Sequence, residues 1–462
     1  MFPRAIASLE GTMSGGSTAL STSAPLRYIT FAALYAAQGI PEGLTFFAIP
    51  AWLAMQGVEA GVVGGYLAII VLPWSFKLVA GPIMDRFSYL PMGRRRPWVL
   101  AGQFGLMLSF LCMTLIPDPV HHIGILSAMG FTVSFFGALQ DVATDGMAVD
   151  IVPREQQARA NGMMWGAKVL GTAASLSTGT WLINNMGFGY AVTALSAAIL
   201  VIMMVPLFLR ERPGEKRFPW GAGAAHKAAL AMKAASWGEI FFTLKNAFIL
   251  RGSLAMVFVG SLFSVGIGYM DALLPIYTIQ ELGWTNDEYS NVLAMVSTVG
   301  AFLAMAVAGW IVDRLGQVRT LNGYIVVMVL LPVLVVATKD LWMEQGYGVW
   351  LIASYQTVYT FFMVAYLATA MNLCWKRVAA TQFTLFMSTG NMGRAVGAWL
   401  LGPMDKAFEW PGMFVGFGVM MALALAGVYH IRLVHHQNAL DRLEADHVAR
   451  MPPDLGGPLV PR

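Results

Sequence analysis

Long apolar runs constrain this chain more than any other feature. Runs of about 20 residues or more cover 26–55, 60–84, 97–117, 122–150, 157–183, 188–209, 248–281, 288–312, 319–338, 346–374, 380–403 and 411–434. A run of this length crosses a hydrocarbon layer as a helix, which satisfies its own backbone hydrogen bonds where no water can. Short turns between the runs make consecutive spans neighbours. Only 12% of the 462 residues are charged, against about 25% in soluble domains. The expectation is an all-α membrane protein with twelve transmembrane helices. Pro41 and Pro50 interrupt the first span, and Gly266, Gly268 and Pro275 interrupt the seventh.

The placement of lysine and arginine sets the orientation. Arg86, Arg94, Arg95, Arg96, Arg314, Arg319, Lys376 and Arg377 all fall on one side of the expected layer, and only Lys339 and Lys406 on the other. Both termini are therefore expected in the cytoplasm. The net charge of +4 comes from these short loops, so a nucleic-acid partner is not expected and the lipid bilayer is. Residues 1–25 read as a disordered cytoplasmic tail, 26–210 as a six-helix bundle, 211–246 as a cytoplasmic linker, 247–435 as a second bundle and 436–462 as a cytoplasmic tail. Trp237, Ile240 and Phe241, between Lys233 and Lys245, predict a short helix on the inner leaflet.

The two halves share landmarks. Asp85-Arg86 ends the second span and Asp313-Arg314 the eighth, 228 positions on. Gly171 and Gly397 are 226 apart, Pro50 and Pro275 are 225 apart, and the intramembrane acids Glu42 and Asp271 are 229 apart. One nearly constant offset predicts two parallel six-helix repeats, with a solute site at their interface.

Charges inside the spans mark that site. A carboxylate at the centre of a membrane helix costs about 2.5–3.5 kcal/mol on insertion scales and usually faces a partner or a wet cavity. Asp141 and Asp145 are four apart and share a helical face. Lys168, on the next span, lies at a compatible depth by the ~1.5 Å rise per residue. Lys77, Arg394, Glu42 and Asp271 complete a near-balanced set of four acids and three bases. Such a set suits an anionic solute together with a proton carried on a carboxylate. At an offset of 225, Asp141 and Asp145 correspond to Tyr366 and Ala370, so the ion-coupling groups are expected in the N-terminal half. No histidine lies well inside a span, and His435 and His436 read as a solvated helix end.

Asp85-Arg86 followed by Gly93-Arg-Arg-Arg96 resembles the loop signature of the major facilitator superfamily, with a second copy at Asp313-Arg314 and Arg319. The arginines, Arg94 among them, can bridge to neighbouring helix ends such as the one bearing Asp150, and the duplicated Asp-Arg points to a gate that breaks and re-forms. A narrower resemblance covers most of residues 26–435. Gln140-Asp-Val-Ala-Thr-Asp145, Leu72-Pro-Trp-Ser-Phe-Lys77, and Ala380-Thr-Gln-Phe383 through Asn391-Met-Gly-Arg394 are similar to the AmpG-type permeases and acetyl-coenzyme A transporters. That family implies proton-coupled import, with Lys77, Gln140, Asp141, Asp145, Gln382 and Arg394 as site residues.

An enzyme would need a nucleophile with a base, or a metal cluster, at membrane depth. Neither is present in the sequence, and Cys112 and Cys374 fall in separate apolar runs. No catalytic residue, metal or cofactor is expected, and no phosphate-binding Gly-x-x-x-x-Gly-Lys loop is found. The expected function is secondary transport by a monomer in a bacterial inner membrane, with protons and a small solute such as an anhydro-muropeptide as partners. A ferric siderophore or an acyl-coenzyme A is the alternative solute. A non-transporting receptor or sensor is the reading from another class.

Overall fold

Proline and glycine decide where these helices bend and how closely they approach. In the computed structural model the described residues are 19–231, 245, 250–344, 346–374 and 379–449. They form two compact units, Met1–Ala234 with Asp271–Ala301, and Ala235–Met270 with Phe302–Arg462. The boundary expected at the linker is thus supplemented by a second crossing, because Asp271–Ala301 packs with the first unit. Hydrogen bonds within that unit give the reason. The side-chain amides of Asn184 and Asn286 donate to each other at 2.8 and 2.9 Å, Thr180 and Ser290 share a bond of 2.8 Å, and Gln280 donates to the carbonyls of Ala54 and Val58.

The first unit contains α1 (Ala24–Pro41), α2 (Ile49–Met55), α3 (Ala60–Val71), α4 (Lys77–Arg86), α5 (Arg96–Met113), α6 (Ile123–Ile151), α7 (Arg154–Met186) and α8 (Phe188–Phe208). Pro41 lacks an N–H, and the helix widens after it into a π-helical stretch, Glu42–Ala48, that puts Glu42 at the start of the distortion. Side chains serve the carbonyls there: Ser175 donates to Ile40 at 2.6 Å and Thr45 to Pro41 at 2.7 Å. In a membrane such substitutes keep a broken helix satisfied. The backbones of α1 and α7 nearly touch. A Cβ on Gly171 would stand 2.5 Å from the Ala36 carbonyl oxygen, and one on Gly39 would strike that of Lys168. Small residues permit this approach, which fixes the depth of Lys168 beside α1.

The second unit contains most of α9 (Arg251–Ile276), which crosses between units at Asp271, and α11 (Gly309–Leu315), α12 (Gln317–Ala337), α13 (Tyr347–Leu373), α14 (Ala379–Ala407), α15 (Trp410–Val428) and α16 (Leu433–Ala449). Helix α10 (Asn286–Leu303) also crosses, ending in this unit. Gly268, Gly393 and Gly397 make the same kind of seam between α9 and α14, against the carbonyls of Arg394, Ser261 and Val265. Among the described residues, six helices are long and apolar enough to cross a membrane: α6, α8, α9 with its π-helical extension to Glu281, α12, α13 and α15.

Two peripheral segments differ from expectation. Residues 19–23, assigned to a disordered tail, are packed: Leu20 is buried, its N–H donates to Arg210, and Arg27 donates to the carbonyls of Leu20 and Ser21. His436, expected in solvent, is buried in α16 with its ring bonded to the Leu373 carbonyl at 2.9 Å. The surface helix expected around Trp237, Ile240 and Phe241 lies outside the described residues.

Candidate functional site

The first unit gathers five of the expected site residues. A 3-10 turn, Leu72–Phe76, separates α3 from α4 and delivers Trp74 and Lys77 toward α6. Lys77 forms an ion pair with Asp141, and the pair is largely screened from solvent. The Lys77 ammonium also stands over the Trp74 ring at 4.4 Å. One turn further along α6, Asp145 accepts a hydrogen bond from the Tyr35 hydroxyl of α1. Asp141 is buried while Asp145 is exposed, so two acids on one helical face have different environments. Lys168 pairs with Glu42 at 3.1 Å and sits near the rings of Trp74 and Trp165 at 5.6 and 5.3 Å. The cluster therefore holds Lys77, Asp141, Asp145, Glu42 and Lys168, with Trp74 between the two lysines.

Other expected residues have different roles in their surroundings. Gln140 is fully buried and donates to the Leu34 carbonyl and to Thr144, tying α6 to α1. Gln382 is also buried and ties Ser253 to the Leu373 carbonyl at the start of α14. Both are helix-to-helix ties, which is how a buried amide satisfies its donors. Asp271 lies within electrostatic reach of the buried Tyr289. Arg394 is in the second unit, where it lines a cavity between α9, α13 and α14.

At the arginine loop, Arg94 pairs with Asp150 at 3.1 Å, and Arg95 lies 3.9 Å from the same carboxylate. Gly146 leaves room for the Arg95 guanidinium one turn back along α6. Arg86 is exposed, Arg314 stacks on Trp310 at 4.4 Å, and Arg319 borders a groove with Ile431 and Val434. The side chains of Asp85 and Asp313 lie outside the described residues.

Sequence reasoning passed over the group that supports this loop. Glu211, on the linker, is fully buried and accepts the backbone N–H groups of Arg94 at 2.9 Å, Arg95 at 2.7 Å and Arg96. Arg95 and Arg96 carry the first amides of α5, which have no partner within the helix, a natural seat for an anion. Gly93, at φ +107, opens the turn, and a Cβ there would collide with the Glu211 carboxylate. Arg96 returns the contact by donating to the carbonyls of Pro206, Leu207, Lys216 and Arg217. Burial raises the carboxyl of Glu211, and burial with the Glu211 charge pushes that of Glu215 up to about 7. The available signal was Glu211-Arg-Pro-Gly-Glu215 directly after an apolar run, with two acids among bases.

A helical bundle with ion-paired charges inside apolar helices and an arginine loop tied to the next helix end belongs to the membrane transporters. The Major Facilitator Superfamily model matches residues 29–398. The chain belongs to that family; it is a multi-pass membrane transporter and not an enzyme. It is 23% identical over 402 residues to the anhydromuropeptide permease of Escherichia coli (strain K12), covering 84% of this chain and 76% of the relative. Among solved structures, the nucleoside transporter NupG superposes with a TM-score of 0.65 at 12% identity, covering 88% of this chain and 99% of that one. AmpG-type permeases are thus relatives in sequence, and NupG is a neighbour in fold.

Proposed function

We propose that this chain is a proton-coupled importer of a small anionic or amphiphilic solute, an anhydro-muropeptide being the leading candidate, in a bacterial inner membrane. The observation that carries the reading is the cluster of Lys77, Asp141, Asp145, Glu42 and Lys168 in apolar helices. A purely structural charge set would be expected to pair and close. Here Asp141 is paired and buried, while Asp145 is exposed and held by a neutral phenol. That division suits one acid that organises the site and one that exchanges a proton. Basic groups in each unit, Lys168 in the first and Arg394 in the second, serve the anionic part of the solute. The similarity to the anhydromuropeptide permease supports the solute class.

The reading includes twelve spans in two parallel six-helix repeats, with both termini in the cytoplasm and the monomer as the working form. Glycine seams support the repeat: Gly43 and Gly268 are 225 apart, Gly171 and Gly397 are 226 apart, and each approaches a neighbouring backbone. The Arg94–Asp150 pair serves as an inner gate that breaks and re-forms during the cycle, with Asp85, Arg86, Asp313, Arg314 and Arg319 in the same service.

Uptake of radiolabelled anhydromuropeptide into proteoliposomes tests the proposal. An imposed inward proton gradient should drive accumulation above the external concentration, and a protonophore should abolish it. Accumulation of a ferric siderophore or an acyl-coenzyme A, with none of the muropeptide, would overturn the solute assignment.

A further inference from the structure

The arginine loop of the first unit is answered from within the chain. Asp150 pairs with Arg94, and Glu211 accepts the amides of Arg94, Arg95 and Arg96. The second copy of the loop, from Asp313-Arg314 to Arg319, has no such answer in the corresponding sequence. Offsets of 225–229 relate the halves, and they carry Asp150 to 375–379 and Glu211 to 436–440. Neither stretch contains an acid. In the second unit Arg319 lines a groove of about 430 Å³ between the start of α12 and the turn that joins α15 to α16. Arg432 lines it from that turn, and no acid is among its described lining. Both arginines are exposed, and neither makes a hydrogen bond or an ion pair among the described residues. The helices α12 and α15 pack on each other, and both are long and apolar enough to cross a membrane. The groove lies where Gln317 begins the one and Val428 ends the other, so it stands at headgroup level. Tyr429, exposed just past the end of α15, is of the aromatic type found at that level.

We propose that this groove binds an anionic phospholipid of the inner leaflet, with its phosphate held by Arg319 and Arg432 and an acyl chain laid along Leu315 and Val434. Two guanidinium groups on one groove repel each other unless an anion lies between them. A guanidinium fork matches two oxygens of a phosphate, and basic side chains beside the end of a membrane helix gain from anionic lipid. The apolar rim decides for a lipid over a free ion. Leu315 is 57% exposed and Val434 74% exposed, and both line the groove. A free phosphate would use the arginines and leave these side chains in water, whereas an amphiphile answers both. In this conformation the lipid supplies to the second arginine loop the negative charge that Asp150 and Glu211 supply to the first. The site is independent of which solute the protein carries.

Native mass spectrometry of the full-length protein in detergent, titrated with phosphatidylglycerol or with zwitterionic phosphatidylcholine, tests the groove. The first phosphatidylglycerol should bind about 25-fold more tightly than phosphatidylcholine, from two arginines at about fivefold each. Arg319→Gln and Arg432→Gln should each weaken phosphatidylglycerol about fivefold, and the pair should bring the two lipids near parity. The single variants decide the matter should the pair fail to fold. Arg442 is an exposed base of α16 outside the groove, so Arg442→Gln should leave the affinity unchanged. Equal affinity for the two lipids, an undiminished preference in both single variants, or an equal loss in Arg442→Gln would overturn the site. Inorganic phosphate and the deacylated headgroup glycerophosphoglycerol, each at the concentration of the lipid, should not displace it. Displacement by either would show a groove that reads a free anion and would overturn the lipid assignment.

Discussion

At the residue scale, the first unit shows how a membrane helix tolerates an acid. Lys77 and Asp141 satisfy each other beneath an indole ring, and removal of one partner leaves a charge in low-dielectric surroundings. Asp141→Leu or Lys77→Met alone should destabilise the protein by about 3–5 kcal/mol, whereas the double variant should recover most of that loss. Thermal unfolding in detergent, read for both single variants and the double, measures the coupling directly. Strict additivity of the two losses would show that the pair does not act as a unit. The acids were legible in the sequence because charge inside an apolar run is costly, and Lys77 was legible because it lies at a matching depth. Tyr35 was not, since a tyrosine in a membrane span carries no comparable signal. Gln140 and Gln382 show the converse: they match a family motif, yet their hydrogen bonds tie helix to helix.

At the scale of elements, glycine seams and the linker clamp position these groups. Gly171→Leu would drive a side chain into the Ala36 backbone of α1. It should lower stability by at least the ~1–3 kcal/mol typical of overpacking and displace Lys168 from Glu42. The measurement is thermal stability in detergent; a Gly171→Leu protein as stable as the parent would contradict a close-packed seam. The linker was poorly legible because its stability comes from long-range pairing of Glu211 with amides more than 110 positions away, which no local pattern encodes. Its pH behaviour follows from Glu215. That carboxyl faces Glu211, Arg212 and Arg96, and its folded value of about 7 lies above the ordinary 4.5. A raised carboxyl contributes stability that is full below the ordinary value and is lost as pH rises through the folded one. Hydrogen exchange over residues 209–217, corrected for intrinsic rates, should therefore show weaker protection at pH 8 than at pH 6. Glu215→Gln should flatten that difference; a pH dependence unchanged in the variant would assign it elsewhere.

At the scale of the molecule, the asymmetry between the units carries the functional account. The first unit holds paired charges of both signs, and in the second Arg394 lines a largely aromatic cavity. Family and helical class were readable from twelve apolar runs and the duplicated Asp-Arg loop, because both follow from local composition. The division at Asp271 was not, because it depends on side-chain bonds such as Asn184 to Asn286 that join distant spans. The central claim is that Asp145 carries the coupled proton while Asp141 holds the site together, and Asp145→Asn tests it most directly. Reconstituted Asp145→Asn should lose uphill, proton-driven accumulation of anhydromuropeptide but retain exchange of that solute between preloaded vesicles and medium, since exchange moves no net proton. Proton-driven accumulation at the wild-type rate in Asp145→Asn would contradict the account and move the proton to Glu42.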